Sequence, residues 1–267
     1  MRTLNKAKTL LEYTRAAWTL GDNLRSKLVL VTFLPRLKCG GIGVDTERLY
    51  KVYIQINSLR RVLHLRVHDI FLVYEVLWGN PYIYPEMLQN PPQCILDLGA
   101  HIGLATIRFK ACFPDAAINC YEPDPENYLL LEKNTRGLSK IILHREAVGS
   151  EDTNATFYVA IGRHSASSLL CPAKNVTFRK VDCEVRSLDG ILERSAMPVD
   201  LVKFDIEGIE YDVFSASRHI HEVRWIVGEL KGDTEHIERF LNLFPHHYAR
   251  VMWITSKMAV VYLQKKA

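Results

Sequence analysis

A chain of 267 residues that is 48% hydrophobic and 24% charged has the ordinary composition of a soluble globular protein and is long enough for one large, well-filled domain. Its net charge of +4 is unevenly placed: residues 1–38 carry eight Lys/Arg against Glu12 and Asp22, a net +6, so the remaining residues together carry −2. That placement argues against a nucleic-acid-binding face on the main domain, and the longest early apolar run, residues 28–34, is too short to span a bilayer.

Residues 3–20 place apolar side chains at helical spacing (Leu4, Ala7, Leu10, Leu11, Ala17, Trp18) with basic residues between them, which predicts an amphipathic helix. A second apolar stretch ends at Pro35, and the glycine-rich 39–43 closes a basic N-terminal extension, 1–43. Two readings of this extension stand side by side. It lies on an anionic membrane, or it packs on its own domain or on a second subunit of a homodimer; packing is the default. Residues 44–92 lead into the core. Blocks 50–56 and 62–67 alternate as a β-hairpin within 50–77, and Pro81, Pro85, Pro91 and Pro92 mark a loop-rich approach to the strand that begins at 93.

From 93 to 267 strands and helices alternate. Strands are predicted at 93–98, 117–122, 141–145, 200–205 and 224–229, and helices at 103–112, 125–136, 187–194, 209–217 and 233–243. An insertion, 150–186, is β-rich at 156–160 and 178–185, and strands at 248–254 and 258–264 close the chain. Such alternation implies an α/β fold with a mostly parallel sheet covered on both faces, to which the terminal hairpin adds one antiparallel strand.

Residues 94–109, CILDLGAHIGLATIRF, are the most informative stretch. Strand, glycine turn and helix in succession are how an open parallel sheet presents backbone N–H groups to a nucleotide-like ligand. Gly99 and Gly103 allow a tight turn and close approach of a ligand, at G-x-x-x-G spacing that departs from the dinucleotide pattern. Asp97 at the strand end would repel a pyrophosphate but suits a cationic or hydroxyl-bearing ligand. This favours S-adenosylmethionine over NAD, although a purely structural strand–helix turn reads alike. Glu122 ends the next strand, 19 residues after Gly103, where a carboxylate typically accepts hydrogen bonds from a ribose. The competing role, capping the helix that begins at Pro125, is better filled by Asp124. Lys203-Phe-Asp205-Ile-Glu207-Gly208-Ile-Glu210 then leaves a third strand at the same sheet edge. Helix-dipole complementation explains Glu210 there better than Asp205.

In this order, DLGAHIGLATIRF, YEPDPENYLLLEKN and LVKFDIEGIEYDVF resemble the motifs of the FkbM family of S-adenosylmethionine-dependent methyltransferases. Residues 69–82, DIFLVYEVLWGNPY, and Glu146-Ala147-Val148-Gly149 resemble it too, so the likeness covers about residues 65–230. His101 departs from it, standing where the family more often has Asn. The resemblance implies a class I, Rossmann-like methyltransferase domain with a seven-stranded sheet whose final strand is antiparallel. It implies that Asp97, Gly99, Ala100 and Gly103 cradle the methionine end of the cofactor, and Tyr82, His101 and Asp205 are further cofactor-binding candidates. Glu122 would hold the ribose, Ala147 and Val148 would lie near the adenine, and Asp205 and Glu207 would face the transferred methyl. The acceptor it implies is a hydroxyl on a sugar, glycan or related natural product.

A hydroxyl is a poor nucleophile, so methyl transfer to it calls for a base. Asp205, Glu207 and His164 are the candidates. His164 lies in the small-residue loop 162–168, which would form a lid, although an exposed loop histidine is the plainer reading. Asp205 and Glu207 are an incomplete ligand set, so no metal is predicted. N-methylation on the same scaffold, or a non-catalytic cofactor-binding domain, are the alternatives. Six cysteines without a C-x-x-C pair, and no signal-peptide pattern, predict a cytoplasmic protein that is membrane-peripheral if residues 1–38 make that contact.

Overall fold

The computed structural model describes residues 2–38, 48–161, 167–171 and 177–266, and the side chains of all of these except 2–10 and 33–38. Helices α1 (Arg2–Leu20) and α2 (Leu24–Lys38) come first, followed by an antiparallel hairpin of β1 (Tyr50–Ile56) and β2 (Leu59–Leu65). Ala16, Ala17, Leu20 and Leu30 are buried against Val52 and Ile54 of the hairpin. The turn between the helices is stitched to it by Asp22 N–H to the Tyr53 carbonyl (2.9 Å) and Tyr53 N–H to Ser26 Oγ (2.9 Å). One face of the N-terminal helices therefore packs on its own domain.

The hairpin stops at Leu65, short of the predicted 77. Residues beyond it turn helical as α3 (Asp69–Leu72) and a π-helical stretch, Val73–Trp78, closed by Gly79 N–H on the Tyr74 carbonyl at 2.9 Å. Ile70, Val73, Tyr74 and Leu77 are buried at i, i+3, i+4 and i+7, a helical period that the dense apolar run of this segment obscures. The same apolar cluster takes in Ile102 from the glycine turn and Leu104, Ile107 and Leu130 from the main sheet's helices. The divisions at 43 and 92 consequently mark chain order and not separate cores.

After α4 (Pro85–Gln89) comes the alternating region: β3 (Cys94–Leu98), α5 (Leu104–Cys112), β4 (Ala117–Tyr121), α6 (Pro125–Thr135) and β5 (Ile141–His144). The insertion is a separate sheet in which β6 (Ala147–Gly149) runs parallel to β8 (Phe178–Ser187) and β7 (Thr153–Ala160) antiparallel to it. Then come α7 (Leu188–Arg194), β9 (Leu201–Phe204), α8 (Glu210–Ala216), β10 (Trp225–Lys231), α9 (Thr234–Leu241), β11 (His247–Thr255) and β12 (Met258–Lys265).

The seven-stranded sheet has the order β11-β12-β10-β9-β3-β4-β5, parallel except for β12. This is the Rossmann-like class I arrangement, with the antiparallel final strand slotted inside the edge. β3 and β9 are buried at every position because each has parallel neighbours on both sides and helices above and below. One face is filled by Phe204, Phe214, Phe240 and Phe244 in edge-on and tilted contacts, the other by Phe109, Trp225 and Tyr262. The register pairs Asp97 with Lys203 across β3 and β9. His247 is buried, its Nε2 3.1 Å from the Val223 carbonyl.

Candidate active site

The strands β3, β4 and β9 end together, and a cleft of about 380 Å³ opens over their carboxyl ends, the place where open α/β sheets bind ligands. Its floor is the turn after β3. Gly99 has φ +74° and Gly103 has φ +87°, and a Cβ at Gly99 would overlap the Asp205 carbonyl oxygen where the two strand ends cross. Gly99→Ala is thus expected to destabilise the fold by about 3 kcal/mol or more, combining left-handed strain with a forced backbone shift; urea unfolding measures it, and an unchanged midpoint would refute the crossing argument.

Several predicted roles change. Gly99 and Ala100 N–H both donate to the Tyr121 carbonyl (3.0 and 2.9 Å), His101 N–H to Glu122 Oε2 (2.8 Å) and Gly103 N–H to the Ala100 carbonyl (2.9 Å). The turn offers the cleft its shape, because these four amide donors are already engaged. Gly103 does not line the cleft; a Cβ there would sit 2.8 Å from Leu131 Cδ1, so glycine serves the contact between α5 and α6. Asp97 is fully buried beneath the turn. It accepts a hydrogen bond from Thr106 Oγ1 at 2.7 Å, and its Oδ1 faces Lys203 Nζ at 3.0 Å without a directed hydrogen bond. Burial alone would pull the Lys203 ammonium down, but Asp97 and then Asp205 hold it above the ordinary lysine range. Lys203 also donates to the Gly99 carbonyl at 2.7 Å and lies 5.6 Å from the centre of the Tyr82 ring. Asp97 therefore does not line the cleft, and its nearest partner toward it is Lys203.

At one end of the cleft lies Glu122. Its two oxygens accept from His101 N–H (2.8 Å) and Asp124 N–H (2.9 Å), while Asp124 caps α6 through Glu126 and Asn127 N–H. Burial, and next the neighbouring Asp124, raise the Glu122 carboxyl to about 8. Ala147 and Val148 of β6 line the same end, as does Tyr121, stacked on His144 at 4.4 Å. Ser167 Oγ reaches Asp124 Oδ2 (3.2 Å) and Ser168 Oγ the Glu207 carbonyl (2.9 Å), so the insertion is latched at two points of the cleft. His164 lies outside the described residues.

The other end is acidic. Asp205 and Glu207 line it, together with Glu75 and Glu229, which the motifs did not single out. Glu207, held at φ +59°, forms an ion pair with Lys231. Burial, then Asp205, push Glu207 up to about 7 and Glu229 to about 8. Tyr82 is buried there, its phenol raised by burial and by the surrounding carboxylates. His101 lines the wall with Nε2 lacking a hydrogen bond, 3.8 Å from Asp69 Oδ1, and burial lowers its imidazole. Glu229 carried a sequence signal, a lone carboxylate in the apolar strand Trp225–Lys231. Glu75 carried none until its segment was seen as helical. Among the described residues no group of three His, Cys, Asp or Glu side chains is arranged to hold a metal ion.

The model of the methyltransferase FkbM domain matches residues 97–251. The 2-O-methyltransferase NoeI of Sinorhizobium fredii (strain NBRC 101917 / NGR234) is 25% identical over 159 residues, 54% of this chain and 65% of that protein, so the match spans just under two thirds of the relative. Methyltransferase sdnD of Sordaria araneosa is 25% identical over 209 residues, 66% of this chain and 80% of that one. Among solved structures, Aeropyrum pernix fibrillarin with natively bound S-adenosyl-L-methionine aligns over 82% of this chain and 99% of that one, at 10% identity and a TM-score of 0.44.

Proposed function

Because the chain belongs to the FkbM methyltransferase family, we propose that it transfers the methyl group of S-adenosylmethionine to a hydroxyl oxygen of a sugar, glycan or related natural product. The observation that carries this reading is the polarity of the cleft: Glu122, pinned by two backbone amides, and Glu146, paired with Arg186, at one end, and Glu75, Asp205, Glu207 and Glu229 around the other. The residues fit the cofactor, since the crowded Gly99 floor admits no side chain and the acidic end suits a cation. When bound, S-adenosylmethionine supplies a methyl group activated on a sulfonium. Glu122 would accept from the ribose hydroxyls, Ala147 and Val148 would flank the adenine, and the Gly99–Ala100 turn would carry the methionine end. NoeI, named for 2-O-methylation, supports an oxygen as the acceptor atom.

Glu207 is the base of this proposal. Its carboxylate takes the proton of the acceptor hydroxyl, and a value near 7 matches the working pH of a general base. Lys231 holds the carboxylate in place through their ion pair. Glu207→Gln is expected to lower kcat about 10²–10⁴-fold while leaving affinity for S-adenosylhomocysteine within about threefold. It should also remove a limb of the pH–rate profile that rises through about pH 7. Equal loss in Glu229→Gln with Glu207→Gln unaffected would move the role to Glu229. Calorimetry with S-adenosylmethionine and S-adenosylhomocysteine, then labelled methyl transfer to hydroxyl-bearing and amine-bearing acceptors, tests the whole reading. Absence of binding to both ligands would end it, and label on amines alone would make the enzyme an N-methyltransferase.

The same carboxyls govern stability. Glu122 and Glu229 sit at about 8 and Glu207 at about 7 in the folded chain, against an ordinary 4.5. Between those values the folded state binds protons that the unfolded state has released. The stabilisation is complete below about pH 4.5 and is lost as pH climbs through 7 to 8. The urea midpoint is therefore expected to fall between about pH 5 and about pH 8, and Glu229→Gln should flatten the slope; a midpoint that rises over this window would contradict it.

A further inference from the structure

We propose that the outer face of α1 and α2, continued by a basic pocket at their turn, docks this protein on an anionic phospholipid surface, with lipid phosphates held by Arg60, Lys133 and Arg136. While Ala16, Ala17 and Leu20 face the hairpin, Leu11, Trp18, Leu24 and Leu28 are each between 48% and 68% exposed on the same two helices. Four large apolar side chains in one region that also holds the chain's basic excess, net +6 in residues 1–38, form the pattern of a helix that lies in a membrane interface. Lys27 Nζ stands 5.4 Å from the centre of the Trp18 ring, joining a cation to an amphipathic aromatic at one spot. Among the described residues no helix is long and apolar enough to cross a membrane, so the contact is interfacial.

The charge continues past the turn. A pocket of about 330 Å³ is lined by Arg60, Arg61, His64, Lys133 and Arg136, with Asp22 from the α1–α2 turn as its acidic member. Asp22 lies 3.7 Å from Arg60. Arg61 is already used, donating to the Asn134 and Arg136 carbonyls at the end of α6 (2.9 and 2.6 Å). Arg60, Lys133 and Arg136 remain exposed, and Lys133 and Arg136 have no acidic partner among the described residues. More cation gathers here than the end of α6 requires, and a phosphate headgroup is its complement. Tyr74 OH donates to the Leu30 carbonyl at 2.8 Å, tying α2 to the segment whose Phe71 and Glu75 line the catalytic cleft.

Co-sedimentation of the full chain with phosphatidylcholine vesicles, with and without about a third phosphatidylserine, tests the proposal independently of methyl transfer. Binding is expected to the anionic vesicles only, and to be released when salt rises from about 0.1 M to about 1 M, as the screening length falls from about 10 Å to about 3 Å. Trp18→Ser with Leu24→Ser should weaken it about tenfold or more, and Lys133→Glu with Arg136→Glu by a similar factor. All four positions are exposed, so circular dichroism should report an unchanged fold. Equal binding to neutral vesicles, no binding at low salt, or indifference to both variant pairs would overturn it. So would tight binding of inorganic pyrophosphate without vesicle binding, which would make the pocket a site for a soluble phosphate compound. Conversion of a dimer to a monomer by Trp18→Ser without vesicle binding would assign the apolar face to a second copy instead.

Discussion

Glu122→Ala is expected to weaken S-adenosylhomocysteine binding by about a hundredfold or more. Above about pH 8, where Glu122 is ionised, two hydrogen bonds from a ribose to its carboxylate contribute about 1.5–3 kcal/mol each, and 1.4 kcal/mol is a tenfold change in affinity. The loss has a second component. The His101 and Asp124 N–H groups that now meet Glu122 at 2.8 and 2.9 Å would be left without an acceptor, each at a cost of about 1–3 kcal/mol where water does not reach. The variant should therefore unfold at lower urea and bind poorly even where folded. Calorimetry below the unfolding transition separates the two effects. Undiminished affinity in a folded Glu122→Ala would remove Glu122 from the ribose site and leave it as a brace between the glycine turn and α6.

The second large effect is expected at a position that touches no reacting atom. Lys203→Met should destabilise the fold by about 3–5 kcal/mol, because it strands a fully buried carboxylate, Asp97, that faces the ammonium at 3.0 Å. The double variant Asp97→Asn, Lys203→Met should recover most of that loss, since a neutral amide still accepts from Thr106 Oγ1 and carries no unpaired charge. Urea unfolding of the two single variants and the double variant closes the cycle. Additive losses would show that the pair is not energetically coupled. Lys203 also holds the Gly99 carbonyl at 2.7 Å, so the cofactor affinity of the double variant should remain below that of the parent even where stability returns.

Much of the sheet was legible in the chain because its central strands are short, mostly apolar runs with an acid near or just past their ends: Cys94–Leu98, Ala117–Tyr121 and Leu201–Phe204. Parallel strands buried on both faces have to read this way. The helices were legible from period and caps, as with Asp124 before Pro125 or Ser187 before Leu188. The segment Asp69–Trp78 was not legible, because a run of aromatic and branched residues hides helical spacing among apolar neighbours on every side. It brings Glu75 and Phe71 to the cleft.

What the sequence alone determined is the fold class, the family likeness and the set of chemical groups at the carboxyl ends of the strands, for those arise from local pattern and from spacing along the chain. The tertiary structure decided which of those groups face the cleft. Asp97, Glu122 and Asp205 look alike as acids after apolar strands. Asp97 is opposite Lys203 in the register and sinks into an ion pair beneath the turn, Glu122 meets two backbone amides, and Asp205 is left beside Glu75, Glu207 and Glu229. The reason is that side-chain direction in a sheet depends on which strand lies alongside and in what register, a relation that for Asp97 and Lys203 joins residues more than a hundred positions apart and that no local pattern contains.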